Sequence, residues 1–294
     1  MFARVSIADR VVKPAYVFRP DQLLRRVVMG RARPAEMTAR LSWGARIRVS
    51  TAEPLGAGIA RRGVHELPVT EVLWRLTTRD DAAFDVGANI GYFTLLLAAR
   101  CREVRAFDPH PQLRRALAAN VALLGPAAGK VVVDERAVSD RSGTALLSMP
   151  TDFSSNPTGA TLGEAADAPD RIEVPTVRLD DVIGGAAVGV MKLDVEGHEA
   201  AALTGAVESL AAGAIRDVVF EEQGSLPSPA SEILARHGYT IFGLRERLSG
   251  VELVAPSAVG ARPSWDAPSY LATRDPDRAA GRMRPRGWRS LRPR

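Results

Sequence analysis

Along the chain, short apolar runs alternate with stretches whose apolar residues recur every three or four positions, the mark of strands interleaved with helices. The sharpest change of period lies between Ala82 and Arg100. Ala82 to Val86 reads as a strand, Gly87-Ala88-Asn89-Ile90-Gly91 as a glycine turn, and Tyr92 to Ala99 as a helix. Upstream, Val69, Val72, Leu73 and Leu76 predict a helix that Thr70 can cap. Downstream, the pattern predicts a strand over Glu103–Phe107, a helix from Pro111 to Leu124 closed by Gly125-Pro126, and a strand over Lys130–Asp134. Strands and helices of these lengths in alternation imply an α/β fold with parallel strands and right-handed crossovers.

The rhythm breaks in the middle. Gly143–Met149 and Ile172–Val177 predict the two strands of a β-hairpin, and the polar loop Thr151–Asp170 between them is long enough to act as a lid over a site. Then come a short helix over Leu179–Ile183, a fourth strand over Val188–Leu193, one helix from Glu196 to Leu210 and a fifth strand over Asp217–Phe220. A helix over Pro229–His237, a strand over Tyr239–Leu244 and a last apolar stretch over Val251–Ala255 complete the pattern. Near the N-terminus, Leu23 to Val28 predicts a short helix, and Leu41 to Ala60 a short β element around Ile47 and Val49. The expected organisation is an extension over 1–62, a core domain over 63–260 with 143–178 as an inserted hairpin and loop, and a tail over 261–294.

Composition narrows the class. With 294 residues, 46% of them hydrophobic, the chain can bury a full core. It has no run of about 18 apolar residues to span a membrane. Arg4, Asp9, Arg10 and Lys13 interrupt the N-terminal apolar residues and leave no secretory h-region, so the expected location is cytoplasmic. The single cysteine, Cys101, cannot form an internal disulfide and reads as a buried or rim thiol without a role. Of the net charge of +5, the segment Arg274–Arg294 carries +6, so the rest of the chain is close to neutral. That segment reads as a solvated, disordered tail rather than a nucleic-acid arm.

Candidate chemistry sits at the strand ends. Glycines at the 87–91 turn let a backbone approach a ligand closely, and the helix start offers free N–H groups. A dinucleotide fingerprint needs a third glycine where Asn89 stands, so a ligand without phosphates is favoured. Asp108, 21 residues after Gly87 and at the end of the second strand, can accept ribose hydroxyls. The segment Lys192-Leu193-Asp194-Val195-Glu196-Gly197-His198-Glu199 gathers three carboxylates and an imidazole at another strand end. Asp194 is placed to enter the crevice, and His198 has the side chain best matched to general-base work. These ligands crowd one turn too closely for a metal site, and none is expected. Phe220-Glu221-Glu222 ends the fifth strand and offers a supporting carboxylate to the same crevice, with one of the two glutamates expected in solvent.

The segments Asp85 to Thr94, Phe107 to Pro111, Asn120, Ala137 to Asp140, Leu179 to Val182 and Lys192 to Glu199 together resemble the FkbM family of S-adenosylmethionine-dependent methyltransferases, in order over about Gly63 to Leu244. The resemblance implies a Rossmann-like class I methyltransferase fold: a mostly parallel seven-stranded sheet flanked by helices, its last strand antiparallel. It also implies O-methylation of a small-molecule hydroxyl, on a sugar, glycolipid, polyketide or other secondary metabolite. Carried over, Asp85, Gly87, Asn89 and Gly91 would surround the methionine half of S-adenosyl-L-methionine, with Ala88, Tyr92, Phe93 and Pro109 also in contact with the cofactor. Asp108, where relatives commonly have glutamate, would meet the ribose. Arg136 and Ala137 would lie by the adenine, and Asp194 beside the sulfonium. Asp194 and His198 would position the acceptor and remove its proton, with Glu196 orienting the histidine. Two other readings stand beside this one. A nucleotide-dependent oxidoreductase is opposed by Asn89, and a nucleic-acid-directed methyltransferase by the lack of an Asn-Pro-Pro-Tyr-type site at the fourth strand. Oligomeric state has no signature in the sequence.

Overall fold

The computed structural model describes residues 14–17, 34–150, 153, 159–163, 170–222, 226–259 and 268–291. The helix expected over Leu23–Val28 and most of the loop Thr151–Asp170 lie outside them. A hairpin of β1 (Glu36–Arg40) and β2 (Arg46–Ser50) leads through α1 (Pro54–Arg62) and α2 (Leu67–Leu76) to β3 (Ala82–Val86). Then follow α3 (Tyr92–Arg100), β4 (Glu103–Phe107), α4 (Pro111–Ala122) and β5 (Val131–Asp134). A second sheet is built from β6 (Ala137–Val138), β7 (Gly143–Met149), β8 (Thr161–Leu162) and β9 (Asp170–Val177). The main sheet resumes after α5 (Leu179–Ile183) with β10 (Val188–Leu193), α6 (Glu199–Thr204), α7 (Val207–Ala211), β11 (Ile215–Glu221) and α8 (Pro229–Arg236). Finally come β12 (Thr240–Arg247), β13 (Gly250–Val254), β14 (Ser269–Thr273) and α9 (Pro276–Met283).

Every residue of β3 and β10 is buried, as parallel strands covered on both faces require. Successive residues serve opposite core layers. Ala83, Val190 and Val219 pack with Leu73, Leu95 and Leu96 of α2 and α3, while Phe84, Met191 and Val218 pack with Leu203, Leu210 and Leu234 on the other side. Each fully buried leucine contributes roughly 1.5–3 kcal/mol.

Among the described residues the main sheet has eight strands, in the order β13-β12-β14-β11-β10-β3-β4-β5, rather than seven. Strand β14 pairs antiparallel with both β11 and β12, so β12 runs with the parallel strands and β14 is the antiparallel seventh strand. Strand β13, the apolar stretch near Val251, is an added eighth strand at the edge.

The tail corrects the sequence reading. Residues 261–294 were expected to be disordered, but Ser269–Thr273 lies inside the sheet and α9 follows it, capped by the Asp275 side chain on Arg278 N. Trp288 is buried, and the carboxylate of Glu71 on α2 accepts from Arg289 N, Ser290 N and Ser290 Oγ. Arg75, paired to Glu71, donates to the carbonyls of Arg282, Pro285 and Gly287. Buried polar groups answer one another here, and such satisfaction orders a segment that composition alone presents as solvated. The single helix expected from Glu196 to Leu210 is likewise two, α6 and α7, broken at Gly205. There a Cβ would stand 2.0 Å from the Ser139 carbonyl oxygen.

Candidate active site

The parallel strands end along one edge of the sheet, and their tips lie in the order Glu221 (β11), Asp194 (just after β10), Gly87 (just after β3), Asp108 (just after β4) and Arg136 (beyond β5). All five line one cleft of about 550 Å³, within the range of small-molecule sites. Among the described residues three non-glycine residues have positive φ: Glu66 (38°), Asn89 (51°) and Glu196 (51°). All three line this cleft. Such conformations cost about 1–3 kcal/mol each and persist where their surroundings over-determine them, as functional sites do.

The glycine turn is built by protein contacts more than by ligand approach. A Cβ on Gly87 would stand 1.7 Å from the Asp194 carbonyl oxygen, so glycine lets the tips of β3 and β10 touch. A Cβ on Gly91 would meet Leu117 Cδ1 at 2.6 Å, and Gly91 does not line the cleft. Gly91 thus lets the turn pack directly against α4. Asn89 tolerates the left-handed backbone, its Oδ1 accepts from Ile90 N (2.7 Å), and its own N–H donates to Asp108 Oδ2 (2.8 Å). Asp85 lies at the end of β3, before the same turn. Its carboxylate is fully buried beneath the cleft, takes the Thr94 hydroxyl at 2.5 Å and stays out of the lining.

Asp108 forms part of the next wall. Its two oxygens accept from Asn89 N and His110 N, which fixes the carboxylate while leaving lone pairs for hydroxyl donors. Burial pushes its pKa up to about 7, against the opposing pull of the two amides. Pro109, Ala137, Val138 and Leu147 give this end an apolar surface, and Ala88 also lines the cleft. The Arg136 guanidinium reaches the wall but its fork is engaged by Asp134, at 2.8 and 2.6 Å.

At the tip of β10, buried Lys192 is ion-paired to Asp194 and lies 4.9 Å from the centre of the Phe93 ring. Burial works against its charge, but Asp194, Glu66 and Asp85 outweigh that and keep Lys192 an ammonium. Burial and the neighbouring Asp194 push Glu196 up to about 7 and Glu221 up to about 9. His198 lines the cleft with its Nε2 on Ser139 Oγ at 2.9 Å. The hydrogen-bond partner of the His198 ring is Ser139; Glu196, from which the sequence expects an orienting contact, sits in a turn with Gly197, both at positive φ, and its charge interactions include Asp194 and Lys192. Buried Glu199 closes that turn by accepting from Val195 N and Gly197 N.

Sequence reasoning missed Arg62, His65, Glu66 and Lys192. His65 and Glu66 pair at 2.6 Å, and Thr70 Oγ1 donates to the His65 carbonyl while lying 3.0 Å from the Tyr92 hydroxyl. Burial raises the Glu66 carboxyl, but the His65 imidazole and the Lys192 ammonium outweigh it and bring it down to about 2. A His-Glu pair in a connection carries no periodicity or spacing to announce it. Lys192 lies within the 192–199 motif, but nothing in that motif marks a lysine turned inward. Among the described residues no group of three or more His, Cys, Asp or Glu is arranged to hold a metal ion, and no helix is long and apolar enough to cross a membrane. Cys101 is buried away from the cleft, its thiol pushed up to about 12 by burial.

The 31-O-demethyl-FK506 methyltransferase FkbM of Streptomyces tacrolimicus is 33% identical over 208 residues, covering 59% of this chain and 78% of that protein. The hexuronic acid methyltransferase AglP of Haloferax volcanii is 28% identical over 178 residues, covering 59% of this chain and 70% of that protein. Among solved structures, Methyltransferase FkbM from Methylobacillus flagellatus KT aligns with a TM-score of 0.43 and 18% identity over 66% of this chain and 44% of that one. The family model of the Methyltransferase FkbM domain matches residues 85–241, from the first core strand to β12. The chain belongs to the FkbM methyltransferase family.

Proposed function

We propose that the chain is an S-adenosylmethionine-dependent O-methyltransferase acting on a hydroxyl of a small molecule: a sugar, glycolipid, polyketide or other secondary metabolite. The observation that carries the reading is the order of groups along the sheet edge. A fixed carboxylate, Asp108, stands in an apolar-walled end, and an ammonium–carboxylate cluster around Lys192 and Asp194 stands two strands away. This suits an adenosine at one end and an amino-acid-bearing sulfur at the other. The loop amide of Ile90, which a phosphate would take, is already bonded to the Asn89 side chain. That favours a nucleoside ligand without phosphates over a dinucleotide.

When bound, S-adenosylmethionine supplies a methyl carbon activated by a cationic sulfur. The protein then has to orient the acceptor and take its proton. Asp108 would hold the ribose hydroxyls, with Ala137 and Pro109 against the base. Asp194, ion-paired to Lys192, and His198, held by Ser139, would position the acceptor hydroxyl and receive its proton. The relatives' names specify a 31-O-demethyl compound and a hexuronic acid, both consistent with transfer to oxygen on a small molecule.

The test is incubation with methyl-deuterated S-adenosylmethionine and a set of hydroxylated acceptors that includes 31-O-demethyl-FK506 and hexuronates. Deuterated methyl on an acceptor oxygen, with S-adenosylhomocysteine released, is the expected result. Label found only on nitrogen or on nucleic acid, or a protein that binds NAD and not S-adenosylhomocysteine, contradicts the reading.

A further inference from the structure

One wall of the cleft is unclaimed by the roles given above. It is the connection from α1 to α2, where Arg62 and Glu66 both line the cavity four residues apart. Among the described residues Arg62 has no hydrogen-bond or ion-pair partner; it lines the cleft, its guanidinium lies along α1 beside Gly58, and its charge acts on the Tyr92 hydroxyl. The Glu66 carboxylate is held ionised, and its side chain is 30% exposed, so it is partly desolvated yet reachable. The backbone of Glu66 is left-handed, and Thr70 pins it on both sides: Thr70 N donates to the Glu66 carbonyl at 2.9 Å and Thr70 Oγ1 to the His65 carbonyl at 2.6 Å. The contact between Thr70 and Tyr92 seats this connection against the turn from β3 to α3.

A free cation and a fixed anion, separated along one wall and not paired to each other, are the electrostatic complement of a zwitterion. The geometry points to Arg62 and Glu66 as the clamp for the amino-acid end of the cofactor, the guanidinium on its carboxylate and the Glu66 carboxylate on its ammonium. This assignment rests on the cofactor reading above and moves the amino-acid contacts from Asp85 and Gly91, which stay out of the cleft, to the segment before the first core strand. His65 is then a positioning residue: its Nε2 holds one oxygen of Glu66 and leaves the other for the ligand. An Arg–carboxylate pair and a carboxylate–ammonium pair are both charge-assisted and set orientation as well as affinity.

The experiment is calorimetric titration of the full chain with two probes. S-adenosylhomocysteine carries the amino acid; 5′-methylthioadenosine keeps the adenosine and the thioether and lacks it. Wild type is expected to bind S-adenosylhomocysteine the more tightly. Glu66→Gln and Arg62→Gln are each expected to weaken S-adenosylhomocysteine by roughly tenfold or more, the loss of one charge-assisted bond, while 5′-methylthioadenosine changes by less than about twofold. Arg62→Gln, at the half-buried last residue of α1, serves as the second variant if Glu66→Gln disturbs folding. Equal weakening of both probes, or none of either, overturns the clamp and leaves the cofactor reading standing. Failure of both probes to bind wild type overturns the cofactor reading itself and the clamp with it.

Discussion

Glycine at position 87 is dictated by a backbone on the neighbouring strand tip, and this makes Gly87→Ala a probe of how the site is assembled. With φ at +83° and a Cβ that would stand 1.7 Å from the Asp194 carbonyl oxygen, the substitution must push the tips of β3 and β10 apart. The expected loss is roughly 2–4 kcal/mol in urea denaturation, together with loss of S-adenosylhomocysteine binding. Asp108 gives a pH signature. Its folded pKa of about 7 lies above its ordinary value, so between about pH 4 and pH 7 the folded state binds more protons than the unfolded one. This group's contribution to stability is therefore full at low pH and declines as pH rises through that window, by at most about 1.4 kcal/mol per pH unit. Asp108→Asn is expected to remove that decline, so the melting temperature of the variant gains on wild type from pH 4 to pH 7; parallel profiles would contradict the assignment. At this scale the sequence showed Asp108, Asp194 and His198 because each ends a strand or opens a helix within a recognisable motif. It hid Glu66, whose importance comes from a left-handed backbone and a contact across the fold, neither of which leaves a periodic trace.

Helix α2 joins two regions that are far apart in the chain. Its first turn fixes Glu66 in the cleft, while Glu71 and Arg75 on its later turns bind the backbone of residues 282–290. The C-terminal segment is thus part of the framework that holds a wall of the site. Trp288→Ala should cost about 3–5 kcal/mol, the usual result of emptying a buried aromatic position, whereas a residue of a solvated tail would cost almost nothing. Removing residues after Tyr270 is expected to yield an unstable protein, because it cuts β14 in the middle of the sheet. A truncated chain with the melting temperature of wild type would contradict this account. The parallel strands were legible because their apolar runs are separated by well-formed helices. Strand β14 was not: it is five residues long, sits beside a cluster of arginines, and gains its identity from pairing with β11 and β12 on either side. The break at Gly205 was hidden for the same reason, since the Ser139 carbonyl that excludes a side chain there comes from a distant segment.

For the molecule as a whole, the main sheet aligns its strand tips so that charge is graded along one edge, from Asp108 in an apolar recess to the Lys192–Asp194 pair and the carboxylates beyond it. That gradient is the basis for proposing a phosphate-free nucleoside with an amino-acid tail as the ligand, and it follows from a parallel sheet whose order brings β10 beside β3. Membership of the FkbM methyltransferase family agrees with it at the level of activity. The most direct test is calorimetric titration of S-adenosylhomocysteine into wild type and Asp108→Ala at neutral pH. Saturable binding to wild type, weakened by roughly tenfold or more in the variant, is the predicted result. Absence of binding to wild type, or an affinity unmoved by Asp108→Ala, would contradict the placement of the cofactor in this cleft.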